Sequence, residues 1–245
     1  MSTLKVEIWS DFSCPFCYIG KHKFQKALRQ FENQDHVQVE FKSFELDPCA
    51  SKNPGKSIHE LLAEKYNMTV EKAMEMNANV AKQAEEVGLT FHFSTIQPTN
   101  TFEAHRLAKY ATANGKGMAM NERLFKAYFT DSENISDKDT LKNLAEEVGL
   151  DQTEVMNVLD SNDYISMVKK DENQAKQIGV TGVPFFVFNE KYAVSGAQSV
   201  QTFIDVLEQV WREEQESAKK LQSIPSLKSK TSYCEGGKCD YSNNK

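Results

Sequence analysis

The stretch SDFSCPFCYIG, residues Ser10 to Gly20, places two cysteines three positions apart with a proline and a phenylalanine between them. The residues before it, LKVEIWS, alternate apolar and polar side chains as a half-buried strand does. After Pro15 the apolar side chains recur at helical spacing as far as about Phe31. The stretch is therefore predicted to join a strand to a helix, with Cys14 just before the helix and Cys17 one turn inside it.

A cysteine in front of a helix whose first residue is proline lies where unpaired backbone N–H groups and the positive end of the helix dipole meet. Both favour the thiolate, and CxxC cysteines at such positions titrate at roughly 3.5–7.5 instead of about 8.5. We therefore expect Cys14 to be a nucleophile and Cys17 to resolve the mixed disulfide that Cys14 forms. Pro15 and Phe16, between the two thiols, are expected to contact the substrate and to help set the reduction potential.

Composition narrows the class of protein. The chain has 245 residues, of which 40% are hydrophobic and 26% charged, as in a folded protein with one domain or a domain that carries a large insertion. The net charge of -6, without a dense Lys/Arg patch, argues against nucleic acid as a partner. The absence of a long apolar run or a signal-peptide pattern predicts no membrane partner and a cytoplasmic location. Paired thiols in that reducing compartment are more often catalytic, sensing or metal-binding than structural.

The remaining pattern predicts an α/β protein with a thioredoxin fold and a large all-helical insertion between its βαβ and ββα halves. Residues 1–50 read as the first half with the CxxC, residues 51–179 as the helical insertion, residues 180–217 as the second half, and residues 218–245 as a flexible tail. The hexapeptide AEEVGL occurs twice, and we interpret Gly88 and Gly149 as left-handed residues that end two helices. Asn189–Glu190 is a predicted hairpin turn.

The segment TGVPFF opens the third predicted strand. A proline at the start of a buried strand after a Gly–Val turn is a candidate for a cis peptide bond, since X–Pro is almost the only bond at which the cis form is common. An ordinary trans proline at a strand start is the alternative. Its place in the reconstructed fold favours a cis Val183–Pro184 bond.

The set of motifs SDFSCPFCYIG, FELDP, NTFEAHRLAKYA, FTDSENISDKDTLKNLAEEVGL and IGVTGVPFFVFNEKYAVSGAQ resembles the DsbA-like branch of the thioredoxin superfamily, in particular its FrnE-like proteins, over about residues 4–215. The resemblance implies a protein disulfide oxidoreductase in which Cys14 is the nucleophile, Cys17 resolves, and Pro184 lies beside the dithiol. Val183 would offer backbone hydrogen bonds to an extended substrate. Thiol or disulfide proteins and glutathione are the expected partners, glutathione as a co-substrate, with no metal or nucleotide cofactor.

Two other functions compete with this interpretation. The same branch resembles 2-hydroxychromene-2-carboxylate isomerases and kappa-class glutathione transferases, but these carry serine where this sequence has Cys14. A zinc-binding or chaperone-like module is the other alternative, with Cys14, Cys17, Cys234 and Cys239 as thiolate ligands at zinc-like spacings. More than two hundred residues separate the two pairs, however, and the first pair already has a redox explanation.

Several other residues have predicted roles of their own. Cys234 and Cys239 form a candidate redox relay in the tail, because Gly236 and Gly237 between them let the chain turn back; exposed thiols without a role are the alternative. Cys49 is interpreted as a passive, partly buried thiol rather than a sensor, and His105 as a hydrogen-bonded packing histidine rather than one that lines a substrate groove. Glu40 and Glu45 lie near the second strand, where a buried acid could accept the proton of the resolving thiol, but most strand carboxylates are simply solvated and neither is assigned this role. The direction of electron flow, the clients and the oligomeric state stay open.

Overall fold

The order of elements is the predicted one. The structure is a computed structural model that describes residues 3–221. Its first half consists of β1 (Leu4–Ser10), α1 (Pro15–Gln30), a short 3-10 turn (Gln34–His36) and β2 (Val37–Ser43). The insertion comprises α2 (Ile58–Tyr66), α3 (Val70–Glu85), α4 (Phe102–Ala113), α5 (Gly117–Phe129), α6 (Lys138–Glu147), α7 (Gln152–Asp160) and α8 (Ile165–Gln177). The second half consists of β3 (Phe185–Phe188), β4 (Tyr192–Ser195) and α9 (Val200–Leu221).

The strands form a sheet of order β2-β1-β3-β4. β1 pairs parallel with β2 and antiparallel with β3, and β4 pairs antiparallel with β3. The register places Ser10 opposite Ser43 and Trp9 opposite Phe185. The carboxyl ends of β1 and β2 and the amino end of β3 therefore meet at one edge of the sheet, and the CxxC segment leaves from that edge. This is the α/β thioredoxin fold, with the helical block inserted between its halves.

Two large apolar clusters stabilise the described part of the molecule, beside a small third cluster around Trp9. The first, here called the sheet core, packs β1, β3 and β4 against α1 and α9 through side chains such as Ile8, Phe24, Phe186, Phe203 and Leu207. The second, here called the insertion core, lies among the inserted helices and includes Phe12, Cys14, Cys17, Tyr18 and Phe125. The dithiol therefore belongs to the core of the insertion, although its own helix starts from the sheet.

The predicted helix ends and hairpin are present. Gly88 and Gly149 have φ of 82° and 84°, and the amides of the leucines after them donate to Ala84 O and Ala145 O, both at 3.0 Å. These bonds close the helix ends as a Schellman motif does. Asn189 and Glu190 have φ of 47° and 56°, as the two central residues of a tight hairpin with a type I′ turn require.

Two further points concern the helices. Helix α9 extends to Leu221, into the segment assigned to the tail, because residues 218–221 (AKKL) are good helix formers and no glycine or proline interrupts the helix before Leu221. Among residues 3–221, no helix is long and apolar enough to cross a membrane.

Candidate active site

Cys14 is the N-cap residue of α1, and Pro15 is the first residue of the helix. The Cys14 backbone is extended (φ -92°, ψ 113°), while its carbonyl oxygen accepts a hydrogen bond from the Cys17 amide at 3.1 Å. The sequence predicts this arrangement because proline lacks the N–H that the first helical position cannot use. Both cysteines are free thiols here, and both are buried, with exposed fractions of 5% for Cys14 and 2% for Cys17.

The loop before β3 lies directly against the first thiol. The Cys14 Sγ is 3.5 Å from the carbonyl oxygen of Val183, and the Val183–Pro184 bond is cis, as the sequence predicts. Helix α1 approaches this loop at Gly20, where a Cβ atom would lie 3.0 Å from Pro184 Cγ and 3.4 Å from the Ala197 Cα. Glycine at this position allows the helix that carries the thiols to contact the proline loop.

The second thiol is chemically different from the first. Burial raises the pKa of Cys17 well above its usual value, and the neighbouring Cys14 sulfur raises it further. The Asp11 backbone amide and the Ser10 hydroxyl act in the opposite direction with a smaller effect on this pKa. Cys17 is therefore a protonated thiol at neutral pH, and it has to lose that proton before it can attack a disulfide.

Asp11 is a buried carboxylate three residues before Cys14, and only 1% of it is exposed. Its Oδ1 accepts the Ser13 amide at 3.2 Å, and its Oδ2 accepts the Leu46 amide at 2.7 Å. His105 Nε2 lies 3.6 Å from the same Oδ1, which is longer than a good hydrogen bond. Burial alone would raise the pKa of Asp11, but His105 and the two backbone amides hold it below its usual value. Asp11 is a fixed anion that joins the loop after β2 to the loop in front of the dithiol.

The structure brings most of the predicted site residues together. Cys14, Cys17, Val183 and Pro184 form one site, and Pro15 lies half-buried beside it. The Phe16 side chain is 39% exposed, so it is available to a substrate. Cys234 and Cys239, the candidate redox relay and zinc ligands, lie outside the described residues. In the described range, no group of three or more His, Cys, Asp or Glu side chains is arranged to hold a metal ion.

The secondary hypotheses have mixed outcomes. Cys49 is exposed, so the prediction of a partly buried thiol is wrong; its amide donates to the Asp47 side chain at 3.0 Å in a turn on the surface. The packing role of His105 is confirmed, because its ring lies 4.8 Å from the Phe12 ring and 3% of the residue is exposed.

The two candidate acids have different surroundings. Glu40 is ion-paired with Lys42 at 2.6 Å and with Lys5 at 3.1 Å, so its charge is already compensated. Glu45 is buried beside Glu172, and burial together with that second carboxyl group raises its pKa. Lys169 Nζ lies 3.3 Å from Glu45 Oε2.

Sequence reasoning missed Ser10 and Asp11 as part of the site. Both are buried and adjoin the dithiol. The available signal was two polar residues at the end of a strand that leads directly into a CxxC. The sequence does not show that Asp11 contacts Leu46 and His105, because those contacts depend on how β2 and α4 pack.

Comparisons with known proteins identify the family and support the fold. The family model for the DSBA-like thioredoxin domain matches residues 5–208. An uncharacterised protein of Bacillus subtilis, YwbO, is 29% identical over 206 residues, which are 82% of this chain and 94% of the relative. The crystal structure of a probable DsbA oxidoreductase from Streptomyces coelicolor is 40% identical, has a TM-score of 0.83, and is matched over 86% of this chain and 91% of that one.

A more distant solved structure shares the fold alone. The cytosolic disulfide reductase DsbM from Pseudomonas aeruginosa, solved with GSH, is 16% identical, with a TM-score of 0.58 over 85% of this chain and 99% of that one.

Proposed function

Because the chain belongs to the DSBA-like thioredoxin family, we propose that it is a cytoplasmic thiol–disulfide oxidoreductase that works through Cys14 and Cys17. The observation that carries the proposal is the placement of the two sulfurs. Cys14 lies at the amino end of α1 with its sulfur against Val183 O, and Cys17 is one turn behind it in the same helix. A nucleophilic thiol and a resolving thiol need this proximity.

In the reducing direction, the Cys14 thiolate attacks one sulfur of a substrate disulfide. A Cys14–substrate disulfide forms, and the other substrate sulfur leaves as a thiolate that takes up a proton from solvent. Cys17 then loses its proton and attacks the Cys14 sulfur, so that the Cys14–Cys17 disulfide forms and the second substrate sulfur leaves with the bonding electron pair. Two electrons pass from the dithiol to the substrate, and the reverse sequence oxidises a substrate dithiol.

The surroundings of Cys14 suit an extended peptide or a small thiol. The Val183 backbone lies at the sulfur, and the apolar side chains of Phe16 and Leu46 are exposed, by 39% and 42%. A backbone edge next to apolar side chains is the arrangement by which extended segments are bound. Glutathione, with one peptide-borne thiol, is a co-substrate of the same chemistry, and the GSH in the DsbM structure supports testing it first.

The presence of cysteine rather than serine at position 14 also favours this proposal over an isomerase or a glutathione transferase. A serine hydroxyl at this position can hold a glutathione thiolate but cannot form a disulfide with a substrate, whereas Cys14 with Cys17 behind it can. Dithiol exchange is therefore the function that these residues support best.

The test is to trap the mixed disulfide. Cys17→Ser removes the resolving thiol, so incubation with glutathione disulfide should leave glutathione covalently attached to Cys14, as identified by mass spectrometry of the Cys14 peptide. Native protein should instead form the Cys14–Cys17 disulfide, and Cys14→Ser should form neither product. Native protein whose Cys14 and Cys17 stay reduced across glutathione buffers of increasing potential would refute the proposal.

A further inference from the structure

Three charged side chains hold the start of the loop after β2 against α8. Glu45 is the residue before Leu46, whose amide binds Asp11. Lys169 Nζ in α8 lies 3.3 Å from Glu45 Oε2 and 2.9 Å from Glu172 Oε2. The side chains of Glu45 and Glu172 are 2% and 12% exposed, whereas that of Lys169 is 48% exposed. Glu45, Lys169 and Glu172 are here called the acid clasp.

The charges of the acid clasp do not balance when both acids are ionised. A buried carboxylate is unfavourable unless an opposite charge or hydrogen-bond donors compensate it. The clasp has two carboxyl groups and one ammonium group, so one negative charge stays uncompensated. Lys169 also lies over the Phe102 ring, 5.0 Å from its centroid, so α4 holds the ammonium group in place together with the acids.

One oxygen of the clasp lacks a hydrogen-bond partner. Glu172 Oε1 is buried, and none of the described residues donates to it. The Glu45 carboxyl group is within hydrogen-bonding range of Glu172. Two ionised carboxyl groups can only accept hydrogen bonds, but a protonated one can donate. A proton on Glu45 would therefore give Glu172 Oε1 its missing partner.

We propose that the acid clasp binds one proton between Glu45 and Glu172, and that this proton closes the loop after β2 onto α8. With the proton bound, Glu45 donates to Glu172 Oε1 while Lys169 pairs with the Oε2 atoms. When the proton leaves to solvent, two buried carboxylates repel each other across a single ammonium group, and the loop loosens. The step is the reversible binding of one proton from water and needs no other reagent.

The acid clasp acts on one wall of the candidate active site. Leu46 follows Glu45 directly, its side chain is 42% exposed, and its amide donates to Asp11 at 2.7 Å. The Asp11 carbonyl oxygen in turn accepts the Cys14 amide at 3.1 Å. A looser loop would therefore displace an exposed apolar side chain that is linked to the dithiol through Asp11. This effect goes beyond the proposed function, because it concerns the loop and not the exchange reaction.

The direction of the pH dependence follows from the groups around Glu45. Glu172 and Lys169 act on it from α8, and His105 acts on it from α4. Burial and Glu172 raise the pKa of Glu45, and they outweigh His105 and Lys169, which lower it. Because this pKa is raised in the folded protein, closure is complete below the unfolded value of about 4.3 and is lost as pH rises through the folded value. Acidification therefore tightens the loop.

Amide hydrogen exchange of the reduced full-length protein, followed by mass spectrometry, measures the opening of the loop. Peptides that cover residues 44–57 are compared between native protein and Glu45→Gln at each pH from 4 to 8, so that the intrinsic pH dependence of exchange cancels. The amide of the variant keeps a neutral donor toward Glu172 at every pH. The two proteins should exchange alike at pH 4, and native protein should exchange about threefold faster or more at pH 8.

Lys169→Met should shift the loosening of the loop to higher pH. Without the ammonium group, the two carboxyl groups should keep their shared proton longer, and the shift should be about one pH unit or more. Glu75→Gln is the matched control, because Glu75 is an exposed acid that pairs with Lys72 at 2.7 Å. This control should keep the pH dependence of native protein.

Two results would overturn the clasp: a Glu45→Gln variant that keeps the native pH dependence of exchange, or a Lys169→Met variant that loosens at lower pH than native protein. Glu172→Gln supplies the donor from the opposite side and should behave as Glu45→Gln does, so it keeps the test decisive if Glu45→Gln fails to fold. Because the readout is backbone exchange, a failure of disulfide exchange at Cys14 and Cys17 would overturn the proposed function alone.

Discussion

At the scale of single residues, Asp11 organises the site without reacting. Its carboxylate binds the amides of Ser13 and Leu46, so one buried charge holds both the segment that starts the CxxC helix and the loop that carries an exposed leucine. Hydrogen bonds to a charged group contribute more to stability than neutral ones. The charge of this side chain should therefore matter to the fold as well as to the site.

Asp11→Asn should lower the free energy of unfolding by about 2 kcal/mol at pH 7, because the amide cannot accept both backbone N–H groups as strongly. The Asp11 pKa is lowered in the folded protein, so the stabilisation is present above the unfolded value, about 3.9, and disappears as pH falls through the folded value. Urea unfolding of native and variant protein between pH 7 and pH 3 checks both points, with the exposed Asp35→Asn as control. A difference independent of pH would contradict this explanation.

At the scale of elements, Glu122 joins α5 to α1. It accepts a hydrogen bond from the Tyr18 hydroxyl at 2.6 Å and pairs with Lys21, whose side chain is only 2% exposed, and with His22 at 3.4 Å. Burial works against the charge, yet these three partners lower the pKa of Glu122 to about 2. The helix that carries both thiols is thereby bound to the insertion by a charged contact as well as by apolar packing.

Glu122→Gln should destabilise the protein because it leaves Lys21 buried without its partner. Breaking a fully buried pair costs roughly 3–5 kcal/mol, but the Glu122 side chain is 40% exposed and solvent screens it, so we expect about 1 kcal/mol. The difference in free energy of unfolding between native and variant protein should have its full size above about pH 4.3, the pKa of glutamate in the unfolded chain, and should vanish toward pH 2. Glu146→Gln on α6, an exposed acid, serves as the control in the same urea titrations; an equal loss in both would refute the pairing argument.

The elements were more predictable than the contacts between them. The strand, the start of α1, the Asn189–Glu190 hairpin and the glycine helix ends follow from local patterns, since each depends on residues within a few positions of one another. The approach of His105 to Asp11 depends instead on how α4 packs against the sheet, because the two residues are 94 positions apart in the sequence. The exposure of Cys49 likewise depends on the course of its loop, which no periodicity describes.

At the scale of the whole molecule, the insertion core and the sheet core differ in whether they contain the two thiols. The insertion core contains both thiols and stacks Phe125 on Tyr18, with ring centroids 4.9 Å apart. The sheet core contains neither thiol. Damage to the two cores should therefore have different effects on the reactivity of Cys17.

Phe125→Ala and Leu207→Ala should each lower the free energy of unfolding, by about 3–5 and 2–5 kcal/mol respectively. Only Phe125→Ala should also speed alkylation of Cys17 under native conditions, because it removes a ring that covers Tyr18 in the same core. Timed labelling with iodoacetamide and peptide mapping measures this, and Cys49, exposed in the native protein, is the internal reference. Equal acceleration in both variants would show that labelling follows global unfolding.

The contact between Cys14 and Val183 also has a consequence for synthesis. The two residues are 169 positions apart, and ribosomes add roughly 5–20 residues per second. Each nascent chain therefore carries its CxxC thiols for about 10–30 s before the loop that will cover them exists. During that interval the Cys14 sulfur can exchange with other disulfides without the contact that Val183 makes in the folded protein.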